Sequence, residues 1–163
     1  MRKKILFVLN NLRREDLLEL QLTWGEDWKK KVYENLSDID VIFAYGKDEF
    51  GDDVPIAMGG FQNVSSKNYK IACVWLLSTK YVMKNKVGFF KELYKQFSLK
   101  ELEYDILYNY IYKFNKEAKR WLVKLGFSFD NPNPKNLNVR KDFEFFYKVR
   151  KGRKCVFMKQ QKQ

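Results

Sequence analysis

The stretch that decides the fold runs from residue 115 to residue 129 and reads NKEAKRWLVKLGFSF. Four apolar residues in it are spaced i, i+3, i+4 and i+7 along one face of a helix: Ala118, Trp121, Leu122 and Leu125. Asn115 stands where a helix N-cap is preferred, and Gly126 suits the C′ position just beyond the last turn. The stretch therefore predicts a capped core helix, followed by a strand-like segment at Phe127–Phe129.

The segments around this helix predict the strands of a sheet. Upstream, Tyr104–Tyr112 alternates with its aromatic residues on one parity, and Lys70–Ser78 is the most apolar run and is expected at the sheet centre. Residues 39–61 form a predicted hairpin around the acidic turn Gly46–Asp53. Downstream, Phe143–Val149 is strand-like, and Lys4–Leu9 is expected to be a short first strand.

Three further helices complete the predicted order. The first has Asn11 as its cap and an apolar face formed by Leu17, Leu20 and Trp24. The second follows Gly25 and has an apolar face formed by Trp28, Val32 and Leu36. The third has an apolar face formed by Val87, Phe90, Leu93 and Phe97. The order is β-α-α-β-β-β-α-β-α-β-β, an α/β (α+β) domain with a mixed central sheet flanked by helices. We assign it to residues 1–149, with a basic tail at 150–163.

Composition excludes several classes of chemistry. The 163 residues contain no histidine and two cysteines, Cys73 and Cys155, without metal or disulfide spacing. The commonest general base and metal ligand is therefore absent, and no metal site is expected. The apolar run near the N-terminus is too short for a signal peptide and no membrane span is present, so the sequence predicts a cytoplasmic protein.

Charge is large and uneven. The net charge is +12, with nine Lys or Arg from Arg140 onward and six acids between Asp38 and Asp53. Such asymmetry favours an anionic partner: nucleic acid, an acidic protein surface or a phosphorylated cofactor. The alternative is a lysine-rich composition that only keeps the protein soluble.

Together, the element order and four residues resemble the GNAT (GCN5-related N-acetyltransferase) superfamily. That family commonly has an Asn at the end of its fifth strand, an Ala three residues later and Gly-Phe at eleven and twelve. Asn115, Ala118, Gly126 and Phe127 occupy those places. The resemblance covers about residues 3–149 and implies acetyl-CoA as cofactor. A narrower one, at 105–147, is to phage-encoded acetyltransferase-like proteins, including internal virion proteins.

The family's diphosphate loop is only partly matched. Its pattern Gln/Arg-x-x-Gly-x-Gly/Ala falls on Asn85–Phe90, where Gly88 fits and Phe90 replaces a small residue. Lysines nearby, Lys80, Lys84 and Lys86, supply positive charge instead. The resemblance also places a carbonyl-polarising backbone N–H on the Lys70–Ser78 strand. The implied cofactor-binding residues are Leu76, Leu77, Ser78, Lys84, Asn85, Lys86, Gly88 and Asn115.

The catalytic candidates also depart from the family. Many members carry, seven residues after the Asn, a Tyr whose hydroxyl protonates the departing thiolate. In this sequence that position is Leu122. Tyr108, Tyr110 or Tyr112 are substitutes, although each is equally a cross-strand aromatic. Glu26 and Asp27, in the turn expected over the acceptor site, are candidates for taking the amine proton; their other interpretation is a helix N-terminal charge.

Two functions stay open. The first is an N-acetyltransferase that transfers acetyl from acetyl-CoA to an amine acceptor, encoded by a phage or mobile element and acting in the host cytoplasm or virion. The second is a catalytically degenerate GNAT-fold protein that binds a virion protein, a host protein or nucleic acid. Nucleic acid would be engaged by Lys148, Arg150, Lys151, Arg153 and Lys154 with Tyr147 and Phe157.

Overall fold

A computed structural model describes residues 1–36, 40–129 and 141–152. The helices are α1 Arg2–Asn10, α2 Arg14–Trp24, α3 Trp28–Asn35, α4 Lys86–Glu103 and α5 Lys116–Lys124, with 3-10 turns at Gly25–Asp27 and Lys80–Met83. The strands are β1 Ile42–Lys47, β2 Asp53–Asn63, β3 Ile71–Ser78, β4 Ile106–Tyr112 and β5 Phe143–Val149.

The five strands form one mixed sheet in the order β1-β2-β3-β4-β5. β1 and β2 are antiparallel, β3 and β4 are parallel, and β4 and β5 are antiparallel. The β1–β2 hairpin and the central position of β3 are thus as the sequence predicts. Both follow from short β-branched and apolar runs separated by turn residues.

The chain divides into two compact units. Unit 1 comprises Met1–Gln62 and Trp75–Lys95, and unit 2 comprises Asn63–Val74 and Gln96–Gln163. Unit 1 therefore holds α1 to α3, β1, all of β2 but its last residue, the second half of β3 and the start of α4. Unit 2 holds the first half of β3, the end of α4, β4, α5 and β5.

The N-terminal segment is a helix, so the predicted strand at Lys4–Leu9 is wrong. Ile5, Val8 and Leu9 lie at helical spacing and are at most 4% exposed. They pack with Leu20, Val32, Leu36, Met58 and Leu77 in one apolar cluster. A run of five apolar residues is compatible with a strand and with a helix. The helix is favoured here because it buries the face formed by Ile5, Val8 and Leu9.

The helix after it begins differently from the prediction. Arg13, not Asn11, is the N-cap residue of α2, and the Asn11 amide donates instead to the carbonyl of Phe7 in α1. Asn11 therefore closes the end of α1. Gly25 ends α2 with φ of 71°, and α3 follows after one 3-10 turn, as the sequence indicates.

In unit 2, the deciding stretch folds as predicted. The Asn115 side chain accepts a hydrogen bond from Ala118 N–H, Trp121 is 7% exposed, and Gly126 has φ of 84°. The segment Phe127–Phe129 is not a strand, because Ser128 makes only an isolated bridge with Tyr147. Phe127 packs edge-on against Phe97 of α4 and Phe146 of β5.

The face of α4 is also corrected. Phe97 is buried, but Val87 is 65% exposed and Phe89 is buried instead. The apolar face therefore lies one position away from the predicted one at the start of the helix. No helix among residues 1–36, 40–129 and 141–152 is long and apolar enough to cross a lipid bilayer.

Candidate functional site

The backbone N–H groups at the end of β3 alternate between pointing at β2 and pointing away from it. Thr79 N–H donates to the Ile56 carbonyl, and the Ile71 carbonyl accepts from Val64 N–H, so odd-numbered β3 residues point their backbone groups at β2. Alternation turns the groups of even-numbered residues to the other side. Leu76 N–H thus points away from β2, whereas Leu77 N–H points toward it.

Ser78, the next even-numbered residue, is already engaged. Its N–H and its hydroxyl both donate to Asp16 Oδ2, at 2.9 and 2.5 Å, and its carbonyl accepts from Arg13 N–H. Asp16 also accepts two hydrogen bonds from the Arg13 guanidinium, at 3.2 and 3.1 Å. All three residues are at most 7% exposed. A buried ion pair therefore fixes the end of β3 to the start of α2, and of the three predicted positions Leu76 keeps a suitably directed N–H.

The segment before α4 contains the predicted diphosphate residues. Asn85 donates through Nδ2 to the carbonyls of Lys47 and Tyr81, at 2.8 and 3.0 Å, and accepts from Lys47 N–H at 3.0 Å. Lys84 Nζ donates to the Asp48 carbonyl at 2.8 Å. The Asn85 amide and the Lys84 ammonium therefore bind the β1–β2 turn.

The start of α4 itself remains accessible. Lys86 and Gly88 lie in its first turn and are exposed, and a Cβ built on Gly88 would meet no atom within 4 Å. The first N–H groups of a helix have no intrahelical acceptor and carry a partial positive charge. These residues can accommodate an anionic group such as a diphosphate.

The acidic candidates Glu26 and Asp27 form the 3-10 turn between α2 and α3 with Gly25. Both carboxylates are exposed. This places them in unit 1, the unit that also holds Leu76 and Gly88.

The tyrosine candidates lie on one face of β4 in unit 2. Tyr108 and Tyr110 have ring centroids 5.9 and 5.3 Å from that of Phe145, and each is partly buried. Desolvation, followed by the nearby Cys73, raises the pKa of both hydroxyls. A raised pKa makes each a weaker acid, although a neutral hydroxyl still donates a hydrogen bond. Burial also raises the pKa of the Cys73 thiol to about 11.

Two further candidates are placed by α5. The Asn115 side chain is 2% exposed and is occupied as the helix cap. Leu122, one residue after the buried Trp121, is half-buried. The position that carries a tyrosine in many GNAT proteins is therefore filled here by a side chain without a proton to donate.

Two of the predicted nucleic-acid-binding residues in the described part of the chain are engaged with the protein itself. Lys148 Nζ binds Glu101 and the Leu125 carbonyl, and an Arg150 nitrogen donates to the Leu102 carbonyl. Tyr147 is 5% exposed and stacks on Phe145, so its prediction as a base-stacking residue is wrong. Lys151 is exposed. Arg153, Lys154 and Phe157 lie outside the described residues.

Comparison with solved structures identifies the architecture. Spermidine N-acetyltransferase from Vibrio cholerae, solved with CoA and spermine, superposes with a TM-score of 0.57 over 92% of this chain and 92% of its own, at 12% identity. The fold is that of the GNAT acetyltransferases. A GNAT-family acetyltransferase from Streptococcus pneumoniae gives a TM-score of 0.51 over 77% of this chain and 75% of its own, at 13% identity. No protein-family model and no curated protein matches the sequence. The narrower likeness to phage proteins receives no support from these structures.

Sequence reasoning missed three residues that shape this region. Asp16 and Arg13 are spaced i, i+3 like many exposed pairs, and nothing local indicates that both are buried. Trp75, also on β3, has a buried indole nitrogen for which the described residues offer no hydrogen-bond acceptor. Among the described residues, no group of three or more His, Cys, Asp or Glu is arranged to hold a metal ion.

Proposed function

We propose that the chain is an acetyl-CoA-dependent N-acetyltransferase acting on an amine. The observation that carries the proposal is the backbone at the end of β3, where Leu76 N–H points away from β2 and Asp16 fixes the strand two residues later. A donor held in place before the reaction stabilises a developing oxyanion without reorganisation. In the GNAT fold, the equivalent strand presents such an N–H to the thioester carbonyl.

In the proposed reaction, the nitrogen of a neutral amine attacks the thioester carbonyl and the C–S bond breaks. The products are an amide and the CoA thiol. Leu76 N–H stabilises the oxygen that gains negative charge, and holding the amine close to the carbonyl supplies much of the rate. The exposed carboxylates of Glu26 and Asp27 take the amine proton through water. The leaving thiolate takes its proton from solvent water.

The diphosphate of CoA is proposed to lie at the start of α4. The N–H groups of the first turn and Lys86 provide the positive potential, and Gly88 leaves space for close approach. Asn85 and Lys84 do not fit this role directly, because their side chains bind the β1–β2 turn. Asn115 lies in unit 2, where its side chain is occupied as the cap of α5.

Calorimetric titration of CoA into the pure protein tests the proposal. We expect micromolar binding and a rise in melting temperature that grows with CoA concentration. Gly88→Glu should abolish both effects, since it adds bulk and like charge beside the phosphates. Ser98→Glu, which places the same charge on an exposed position of α4 three turns later, is the control and should bind CoA normally. Wild-type protein that ignores millimolar CoA would refute the cofactor assignment.

A non-catalytic GNAT-fold protein is the second candidate, and two observations favour it. Leu122 replaces the usual acid, and Lys84 is bound to the β1–β2 turn. In this case the partner is a protein or nucleic acid. A protein that fails to bind CoA but folds cooperatively would decide for this candidate.

A further inference from the structure

The turn between β1 and β2, residues 46–53, binds directly to the segment that leads into α4, residues 80–86. We call these the acidic turn and the lysine segment. The acidic turn carries Asp48, Glu49, Asp52 and Asp53 against Lys47, and the lysine segment carries Lys80, Lys84 and Lys86. Both belong to unit 1. Opposite charges therefore meet in the segment that leads into α4, at whose start the diphosphate is proposed to bind.

Backbone contacts hold the two segments in register. The Asn85 amide satisfies both the N–H and the carbonyl of Lys47, and Lys84 donates to the Asp48 carbonyl. Asp48 in turn accepts from the N–H groups of Phe50 and Asp52, at 2.9 and 3.0 Å, which shapes the turn around its own carboxylate. The acidic turn is thus an ordered element that contacts the lysine segment at fixed points.

Side-chain charges add a second layer to this contact. Glu49 lies 3.7 Å from Lys80 Nζ and 3.4 Å from the Tyr81 hydroxyl. Lys80 also stands over the Tyr81 ring, at 5.0 Å from its centroid. Two of the three lysines in the segment, Lys80 and Lys84, are therefore occupied by the acidic turn.

We infer that the acidic turn is a built-in competitor of the CoA diphosphate for these lysines, so that it sets the affinity for the cofactor. The inference rests on the proposed function. A diphosphate at the start of α4 gains Lys80 and Lys84 only when Glu49 and the Asp48 carbonyl release them. The apparent affinity is then lowered by the fraction of molecules in which the contact is closed. Any partner that binds the acidic turn would raise the affinity for CoA.

The neighbouring residue Asp53 provides a matched control. Its carboxylate lies 2.9 Å from Lys47 Nζ and so pairs within the β1–β2 hairpin and not with the lysine segment. Glu49→Gln and Asp53→Asn each remove one negative charge from the same turn. A general change in charge affects CoA binding equally in both variants, whereas release of Lys80 occurs only in the first.

Calorimetry with CoA measures the difference. An exposed ion pair is a weak interaction, so Glu49→Gln should tighten CoA binding about three- to fivefold at low salt. Asp53→Asn should tighten it less than twofold. In a Lys80→Gln background the effect of Glu49→Gln should shrink to that of Asp53→Asn. At about 0.5 M salt the difference should disappear, because screening removes exposed pairs.

Three results separate the possibilities. If CoA binds and Glu49→Gln and Asp53→Asn change its affinity equally, the inference that the acidic turn competes with the diphosphate is overturned. The acetyltransferase proposal would stay intact. A Glu49→Gln effect that persists in the Lys80→Gln background would also overturn it, since the charge would then act without that lysine. If neither wild type nor Glu49→Gln binds CoA at millimolar concentration, the proposed function and the inference fall together.

Discussion

Replacing Asp16 by alanine tests the buried ion pair at the end of β3. The carboxylate accepts four hydrogen bonds, two from Ser78 and two from Arg13. Its removal takes this carboxylate from a guanidinium that is 7% exposed and takes the acceptor from the buried Ser78 N–H. Removing one partner of a buried pair costs about 3–5 kcal/mol. For a chain of this size that lowers the melting temperature by about 6–20 °C.

The assay is urea unfolding followed by circular dichroism, with thermal melts in parallel. The double variant Arg13→Met/Asp16→Leu should lose less stability than Asp16→Ala, because no buried charge is left unpaired. Breaking the exposed Lys30–Glu34 pair with Glu34→Ala is the second control. Its side chains are mostly solvated, so the expected cost is below about 0.5 kcal/mol.

Two outcomes would refute the reasoning. A loss of unfolding free energy below about 1 kcal/mol for Asp16→Ala would lie well under the range expected for a broken buried pair. It would show that the pair does not hold the strand. A double variant as unstable as the single one would show that the loss comes from packing and not from the uncompensated charge. In either case Leu76 would no longer owe its position to this contact.

Two further predictions concern unit 2. Trp121→Ala should lower the free energy of unfolding in urea by about 3–5 kcal/mol, because the indole is buried. Val123→Ala, at a position that is 60% exposed, should lower it little, and similar losses in the two variants would show that the buried face of α5 is wrongly assigned. The second prediction concerns Cys73, studied with Cys155 replaced by serine. Burial raises the pKa of the Cys73 thiol from 9.0 to about 11. At pH 8, Cys73 should therefore react with iodoacetamide about a hundredfold more slowly in the folded than in the unfolded chain. The same pKa shift should make the free energy of unfolding fall as the pH rises from about 9 to 11, because the neutral thiol is favoured in the folded state. A folded-state reaction rate within tenfold of the unfolded-state rate would contradict the slow reaction and the pH dependence alike.

The elements that could be predicted from sequence are those where independent signals agree. In α5, the cap Asn115, the apolar spacing through Trp121 and the terminal Gly126 all indicate the same helix, and the structure has it. In Lys4–Leu9, only one apolar run was available, and helix and strand fit it equally. The deciding contacts there come from Leu20, Val32 and Met58, which no local pattern reveals.

The candidate site was less predictable, because its geometry depends on register and on distant partners. Whether Leu76 or Leu77 directs its N–H away from β2 is set by the pairing of Thr79 with Ile56. The partner of Ser78 is Asp16, 62 residues earlier. Neither fact leaves a trace in residue spacing. Chemical type could be read from the sequence, but the direction of each donor required the fold.

The Asn85 side chain also has a consequence for self-association. β1 is at one end of the sheet, and the backbone of Lys47 faces outward from it, toward Asn85. The amide of Asn85 imitates a peptide group and pairs with Lys47 as one residue of a further strand would. An unpaired sheet edge is a template on which another chain can add. Asn85 thus closes this end of the edge, and a change to leucine would open it to pairing between molecules.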